Sequence, residues 1–598
     1  MSSLARGGGR RARRAAASAF AGALFAFQAL ALMGATPAGA AVTTCSFSGG
    51  TLTLAFTVDL TFAQDAAGNV LVGGAKTDTI VGCTTSAAAN LANTNAINVT
   101  GDAADNTVTI FMDDATALVD WEDINWAINL GSDGALDDTL FIDGGAVLGD
   151  DMEVTLGATG IDLNGDDDLD VTPSGIENFT VDTGDGDDTV WGAGSTATGG
   201  LFPNGITSDG GAGDDWFASG AGTDAFTGGA GEDAIDASGG TSSVTVNLTA
   251  PGSLTGGGLG FDTLFTIEDI QGSGFGDFLT GDSLAFGNFI TPGAGDDKVD
   301  GEGGAGGDWI DYSDAAAAVT VDMDAETATG SGNDTFSDIE NAAGSDFDDS
   351  IVDDTSADNA YDGNDGNDTF DQGEDPSDGD ADAIDGDSGT DTVDYSLRTE
   401  DLQVSLGATA AAGDECDQAD VDVEDECDGD SGAGEQDTLD KVENANLGTG
   451  DDEFLGSAFG NTVQPGGGQN VLDGAGGSDT LDYSAYEAGV EVNMAGGATA
   501  GDSATAFENV TGSEFADTIV GGDASNVIRA RGGNDNVRGG SGDDTLKGSG
   551  GNDTLRGGSG DDDLIGAAGN DSLLGGGGDD FCKGGKGKDT TKGCESGK

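Results

Sequence analysis

From Asp535 to Asp589 an aspartate stands at every ninth residue: Asp535, Asp544, Asp553, Asp562, Asp571, Asp580 and Asp589. Each is the sixth residue of a nine-residue unit, and seven such units run without a gap over 530–592. Gly539-Gly540-Ser541-Gly542-Asp543-Asp544-Thr545-Leu546-Lys547 gives the pattern, Gly-Gly-x-Gly-x-Asp-x-apolar-x. Glycines let a backbone take positive φ and turn sharply, which leaves carbonyl oxygens facing a common centre. The aspartate adds a hard carboxylate oxygen to them. Hard oxygens in a flexible cage suit calcium better than zinc or copper. The chain has no histidine, which excludes Ser-His-Asp and Cys-His catalysis and every His-ligated metal site. A carboxylate-pair glycosidase needs no histidine, but with 112 Asp and Glu such pairs are expected everywhere and single out no residue.

These carboxylates need elements that space them. The last three residues of each unit read as a short strand whose middle side chain points inward: Val537, Leu546, Leu555, Leu564, Leu573, Cys582 and Thr591, an apolar slot that weakens at the end. Further units are scattered through 181–528. Three consecutive ones place Asp215, Asp224 and Asp233 at the sixth position, and others place Asp188, Asp297, Asp308, Asp368, Asp391, Asp452 and Asp479 there. The inserts between them also repeat. An Asp-x-Ser or Asp-Tyr-Ser start recurs at Asp236, Asp311, Asp394 and Asp482, and eight residues later an alternating strand begins at Val244, Val319, Leu402 and Val490. Glu268, Glu340, Glu443 and Glu508 follow, and nine residues after each stands Asp277, Asp349, Asp452 or Asp517. This is a super-repeat of roughly 75–90 residues, longer than the common small repeats. Its glutamates read as outward-facing structural residues or as calcium ligands.

The nonapeptide resembles the RTX (hemolysin-type) calcium-binding repeat, and similar inserts occur in large RTX extracellular proteins. The resemblance implies an all-β chain: a parallel β-roll, or β-solenoid, that binds several Ca2+ ions. It implies that successive turns alternate between two edges, with calcium between turn n and turn n+2. Asp535, Asp553, Asp571 and Asp589 would line one edge and Asp544, Asp562 and Asp580 the other. RTX proteases carry a His-based zinc motif, which is absent here.

Around this array the expected organisation is a signal peptide over 1–40, a β-rich region over 41–180, units alternating with inserts over 181–528, and a compact roll with a C-terminal cap over 529–598. The first of these rests on five arginines before the apolar run 15–33 and on Ala38-Gly39-Ala40, a small-x-small cleavage site. No other stretch reads as a bilayer span. In 41–180, Leu52, Leu54, Phe56, Val58, Leu60 and Phe62 alternate as one half-buried strand, a turn at Gly68-Asn69 precedes Val70, and Ile124 to Leu130 alternates again. Asp162 to Asp168 carries oxygen ligands at alternate positions, like half of an EF-hand loop, and reads equally as an acidic turn. Six cysteines in an exported chain imply disulfides, expected as Cys45–Cys83, Cys416–Cys427 and Cys582–Cys594, the last closing the open end of the roll.

Formal net charge is -93, but unevenly spread. Residues 41–528 hold four basic residues (Lys76, Lys298, Arg398 and Lys441) against 100 acids, whereas 529–598 holds ten against twelve. Such acidity repels nucleic acid and anionic membrane. The expected function is that of a secreted, calcium-binding structural or adhesive protein with a cell-surface or matrix partner, not an enzyme. A secreted hydrolase with the repeats as an accessory is the alternative.

Overall fold

The computed structural model describes most of residues 152–595 and, before them, mainly strand backbones between Val42 and Asp143. The leader at 1–40, the side chain of Cys45, Cys83, Cys416 and Cys427, and the run 163–170 fall outside the described residues. Among the described residues every regular element is a strand.

The architecture follows from one inward side chain per strand. Most of the three-residue strands bury only the middle residue, as in Thr480–Asp482 or Thr518–Val520. Two sheets of such strands face each other, and their inward residues fill the space between. In the C-terminal roll one sheet stacks Asn536–Ser541, Thr554–Ser559, Ser572–Gly577 and Thr590–Lys592 in parallel. The other stacks Val527–Arg529, Thr545–Gly550, Asp563–Ala568 and Phe581–Lys586. Val537, Leu555 and Leu573 are in register on the first, Ile528, Leu546, Leu564 and Cys582 on the second, and all are buried. Alternate units therefore lie on opposite sheets, and each strand meets the one eighteen residues away. Thr591 is exposed, which agrees with the weakening of the apolar slot.

The same two-sheet stack runs back through the inserts and into the N-terminal region. Asn178–Asp182 pairs in parallel with both Thr139–Asp143 and Gly205–Ala212. The long alternating run read as one strand is described as two, Thr51–Phe56 and Leu60–Gln64, and the second forms an antiparallel hairpin with Val70–Gly73.

Each of the first three inserts is a three-stranded antiparallel meander laid into one sheet. In the first, Val244–Asn247, Gly252–Gly256 and Phe261–Phe265 pair in turn. The outer two strands continue the parallel stack, with Phe278–Thr280 and Ala225–Ala230 respectively. Thr320–Asp322, Thr327–Thr329 and Asn333–Ser337 repeat this arrangement, as do Gln403–Ser405, Asp420–Asp422 and Gln436–Asp440. An insert thus adds one reversed strand without breaking the ladder.

Candidate metal centre

The sixth-position aspartates are held by the stacked turns. Apart from the terminal Asp589, which is half-buried, each one singled out above is buried. Along one edge the Asp535 N–H donates to Asp553 Oδ1 (3.0 Å), Asp553 N–H to Asp571 Oδ1 (3.0 Å) and Asp571 N–H to Asp589 Oδ1 (3.1 Å). Along the other, Asp544 N–H donates to Asp562 Oδ1 and Asp562 N–H to Asp580 Oδ1, both 3.0 Å. The two rows are the two edges expected from the repeat.

One oxygen of each carboxylate is thereby used. The other, Oδ2, is buried and receives no hydrogen bond in Asp535, Asp544, Asp553, Asp562, Asp571 and Asp580, nor in Asp215, Asp233, Asp297, Asp308, Asp368, Asp391 and Asp479. Where the unit begins with the usual glycine, Oδ2 lies over it: a Cβ built on Gly539, Gly548 or Gly557 would collide with Oδ2 of Asp544, Asp553 or Asp562. The fourth glycines hold positive φ, +134° at Gly551 and +151° at Gly569, and a Cβ on either would strike the carbonyl of the glycine eighteen residues earlier. Orphaned carboxylate oxygens thus sit in glycine turns that bring carbonyls from successive coils close together.

A buried, undonated carboxylate resists ionising. Burial, reinforced by neighbouring carboxylates, pushes Asp215 up to about 8, Asp233, Asp297, Asp308, Asp368 and Asp535 to about 7, and Asp391, Asp479 and Asp544 to about 6. The accepted backbone N–H in each case acts the other way and only partly offsets burial. A divalent cation would supply the missing charge and ligand. Among the described residues no three Asp, Glu, Cys or His side chains converge on one point. A cation at these turns would therefore need backbone carbonyls alongside one or two carboxylates, which is oxygen-only calcium chemistry.

Asp224 departs from the expected set. Its unit begins with Ser219 in place of glycine, and Oδ2 accepts Gly220 N–H (3.0 Å) and the Ser219 hydroxyl (3.3 Å). Asp188 and Asp452 join the ladder through Oδ1, from Met152 N–H and Leu402 N–H.

The super-repeat signatures, left without a role by the sequence, prove to be ladder ends. The glutamates do not face outward. Glu268, Glu340, Glu443 and Glu508 accept the N–H of Asp233, Asp308, Asp391 and Asp479 at 2.7–3.0 Å, where the next aspartate would have been. Glu595 does the same for Asp580 at 2.8 Å, beside the Cys582–Cys594 disulfide that closes the roll. Asp277, Asp349, Asp452 and Asp517 start the next ladders by accepting the N–H that opens each insert's alternating run, from Val244, Val319, Leu402 and Val490.

Some turns are satisfied with no cation. Ser273 and Ser513 donate N–H to the Oδ2 of Asp277 and Asp517, and their hydroxyls bond the same carboxylates. In the inserts Tyr312 OH donates to Asp334 Oδ2 (3.0 Å), Tyr395 OH to Asp437 Oδ2 (2.9 Å) and Tyr483 OH to Asp502 Oδ2 (3.3 Å). These tyrosines are the centres of the Asp-Tyr-Ser motifs. The first insert has Ala237 there, and the Ser219 hydroxyl reaches Asp262 Oδ2 (2.7 Å) instead. Asn461 and Asn526 donate their own N–H to Oδ1 of Asp479 and Asp544, turn Oδ1 to the N–H of Ser457 and Gly522, and donate Nδ2 to the carbonyls of Glu443 (2.7 Å) and Glu508 (2.8 Å). A second, exposed ladder was not anticipated: Asn552 and Asn570 donate N–H to the Oδ1 of Asn534 and Asn552, and Asp561 and Asp579 to the Oδ1 of Asp543 and Asp561.

Comparison with known proteins agrees with this geometry. A family model described as the RTX calcium-binding nonapeptide repeat (4 copies) matches residues 209–244, 447–481, 511–546, 538–573 and 556–590. No curated protein matches the chain. Among the described residues no helix is long and apolar enough to cross a membrane. The matched segments contain Asp215, Asp233, Asp452, Asp479 and the aspartates of the terminal array, and over them the chain carries RTX calcium-binding nonapeptide repeats in an all-β, parallel-strand fold.

Proposed function

We propose that the protein is a secreted rod, structural or adhesive at the cell exterior, whose turns are completed and stiffened by calcium. The observation that carries this reading is the row of buried Oδ2 atoms with no donor. Asp215, Asp233, Asp297, Asp308, Asp368, Asp391, Asp479, Asp535, Asp544, Asp553, Asp562, Asp571 and Asp580 would hold the ions, two turns sharing each. Asp589, at the open end, would complete its row. Asp188 and Asp452 have the same place in the fold and are assigned with them, whereas Asp224 is not. Calcium supplies positive charge and the missing ligand. The chain's own residues fix the carboxylates through Oδ1, turn on glycine and exclude water with one apolar side chain per strand. With so little apolar area per unit, metal binding contributes folding free energy directly.

Hydrogen exchange of the mature chain in excess chelator, in millimolar calcium and in magnesium tests this. Calcium is expected to protect amides across 539–592 that are only weakly protected in chelator. Magnesium is expected to protect them poorly, because it demands tight octahedral geometry and keeps its waters. Residues 181–528, with turns closed by serine, tyrosine and asparagine, are expected to keep partial protection without metal. Strong protection of 539–592 in chelator would mean that calcium decorates the fold and does not create it.

A further inference from the structure

The outer faces of the C-terminal roll carry a charge pattern that its turns do not need. On the first sheet Arg538 lies in register with Arg556, and Arg556 with Leu574, which pairs with Lys592. The remaining outward side chains of these four strands are Asn536, Ser541, Thr554, Ser559, Ser572 and Thr590, so these strands carry no carboxylate there. On the second sheet Arg529 lies in register with Lys547. Like charges directly opposite on neighbouring strands, roughly 5 Å apart, destabilise a sheet. Nothing in the roll offsets this. Among the described residues its ion pair joins Arg531 to Glu514 (2.7 Å), and none reaches Arg529, Arg538, Lys547 or Arg556.

The same outward strand position is acidic in the middle of the chain. Asp362 lies in register with Asp385, and Asp385 with Asp440, on one sheet, while Asp371 and Asp394 pair on the other. Lys441 neutralises part of the first row, 2.9 Å from Asp385. Both stripes repeat at the strand spacing, because both are built on the same stack.

We propose that these stripes are complementary docking surfaces. The outward basic row Arg538, Arg556 and Lys592 of one molecule's roll lies along the outward acidic row Asp362, Asp385 and Asp440 of a second copy, cation row against carboxylate row in matching step. The two surfaces are different patches, so the contact is head-to-tail and can propagate into an open filament. It depends on the outer faces and not on which turns hold calcium. Failure of the calcium reading would appear in the exchange experiment above, and failure of this one would not.

Sedimentation velocity of the full chain at fixed millimolar calcium tests it, in low salt and at about 0.5 M salt, where charges more than a few ångströms apart are screened. Concentration-dependent oligomers are expected in low salt and monomers in high salt. R538E/R556E and its milder form R538Q/R556Q, each checked for unchanged exchange protection, should raise the association midpoint on the order of tenfold or more. Carbodiimide coupling of isotopically mixed protein should join Lys592 of one copy to Asp362, Asp385 or Asp440 of another. A monomer in low salt would overturn the proposal. So would association that neither variant weakens, which would point to calcium bridging acidic faces, or association only when an acidic polysaccharide is added, which would assign the basic stripes to a glycan.

Discussion

Asp553→Asn separates the two jobs of a ladder carboxylate. Asp553 Oδ1 accepts the Asp535 N–H at 3.0 Å, and Asn can keep that bond as Asn470 does with the Asp452 N–H (2.8 Å). Oδ2 is buried and undonated, and burial raises the acid's pKa. Asn replaces Oδ2 with an amide donor. Asn470 sends that donor to the carbonyls of Pro465 (2.8 Å) and Gly467 (3.0 Å), five and three residues back. For position 553 these are Gly548 O and Gly550 O, and Gly550 O accepts the Gly533 N–H and has a second lone pair. Without metal, relieving one buried unsatisfied oxygen should stabilise the roll by about 1–3 kcal/mol. With metal the sign reverses. A site filled at a hundred times its Kd contributes about 2.7 kcal/mol, and loss of a charged ligand removes most of it. Asp553→Ala provides the contrast, since it also strips the acceptor from the Asp535 N–H and should cost about 1–3 kcal/mol in both conditions. Exchange protection over 539–592, read in chelator and in calcium, distinguishes these outcomes. Asn and Ala behaving alike in chelator, or Asn leaving the calcium response intact, would refute the assignment of Oδ2 to the ion.

Three further outcomes are expected. In chelator the array should be more stable in mild acid than at neutral pH. Asp544, Asp535 and Asp215 have folded pKa values raised to about 6, 7 and 8, so the folded state holds more protons, and stability present below about pH 4 is lost as pH rises through 6 to 8. Calcium-dependent protection should show the opposite trend, because protons compete with the ion, and a chelator pH series beside a calcium one checks both. Tyr312→Phe removes the donor to Asp334 Oδ2 and should destabilise the second insert by about 1–3 kcal/mol with or without calcium, read by local exchange around Asn333–Ser337. Reducing Cys582–Cys594 should fray the last coil, by on the order of 3 kcal/mol in the chain-entropy model, with the first loss of protection at Phe581–Lys586; a free thiol at Cys582 in non-reducing peptide mapping would contradict the closed end.

The period of nine carried most of the fold. One apolar residue two places after each Asp admits a strand with a single inward side chain, and a two-sheet roll follows from stacking such strands. The Cys582–Cys594 closure was legible because Cys582 occupies an inward slot. What could not be read was which aspartates keep an oxygen free, since that depends on residues brought near by the stacking. Tyr312 meets Asp334 across 22 residues and Ser219 meets Asp262 across 43. The glutamates were visible as a recurrence, but their role as ladder ends requires the carboxylate to reach back to an N–H, as Glu443 does to Asp391 across 52 residues. A signal for both was present in the sequence: Tyr follows the insert's leading Asp in three copies, and the copy with Ala237 has Ser219 at the head of a unit where Gly is usual.

Because neighbours in each sheet are two units apart, parity becomes a property of the array. Deleting two nonapeptides from 530–592 shortens the roll by a whole coil and leaves every remaining face where it was. Deleting one removes half a coil. The hydrogen-bond register survives, since every unit is built alike, but everything beyond the cut is rotated by half a revolution about the long axis, and the row through Arg556 and Lys592 trades sides with the row through Lys547 and Lys583. The length of this segment can therefore change in even steps at little cost, whereas an odd step acts as a switch of handed orientation between its two ends.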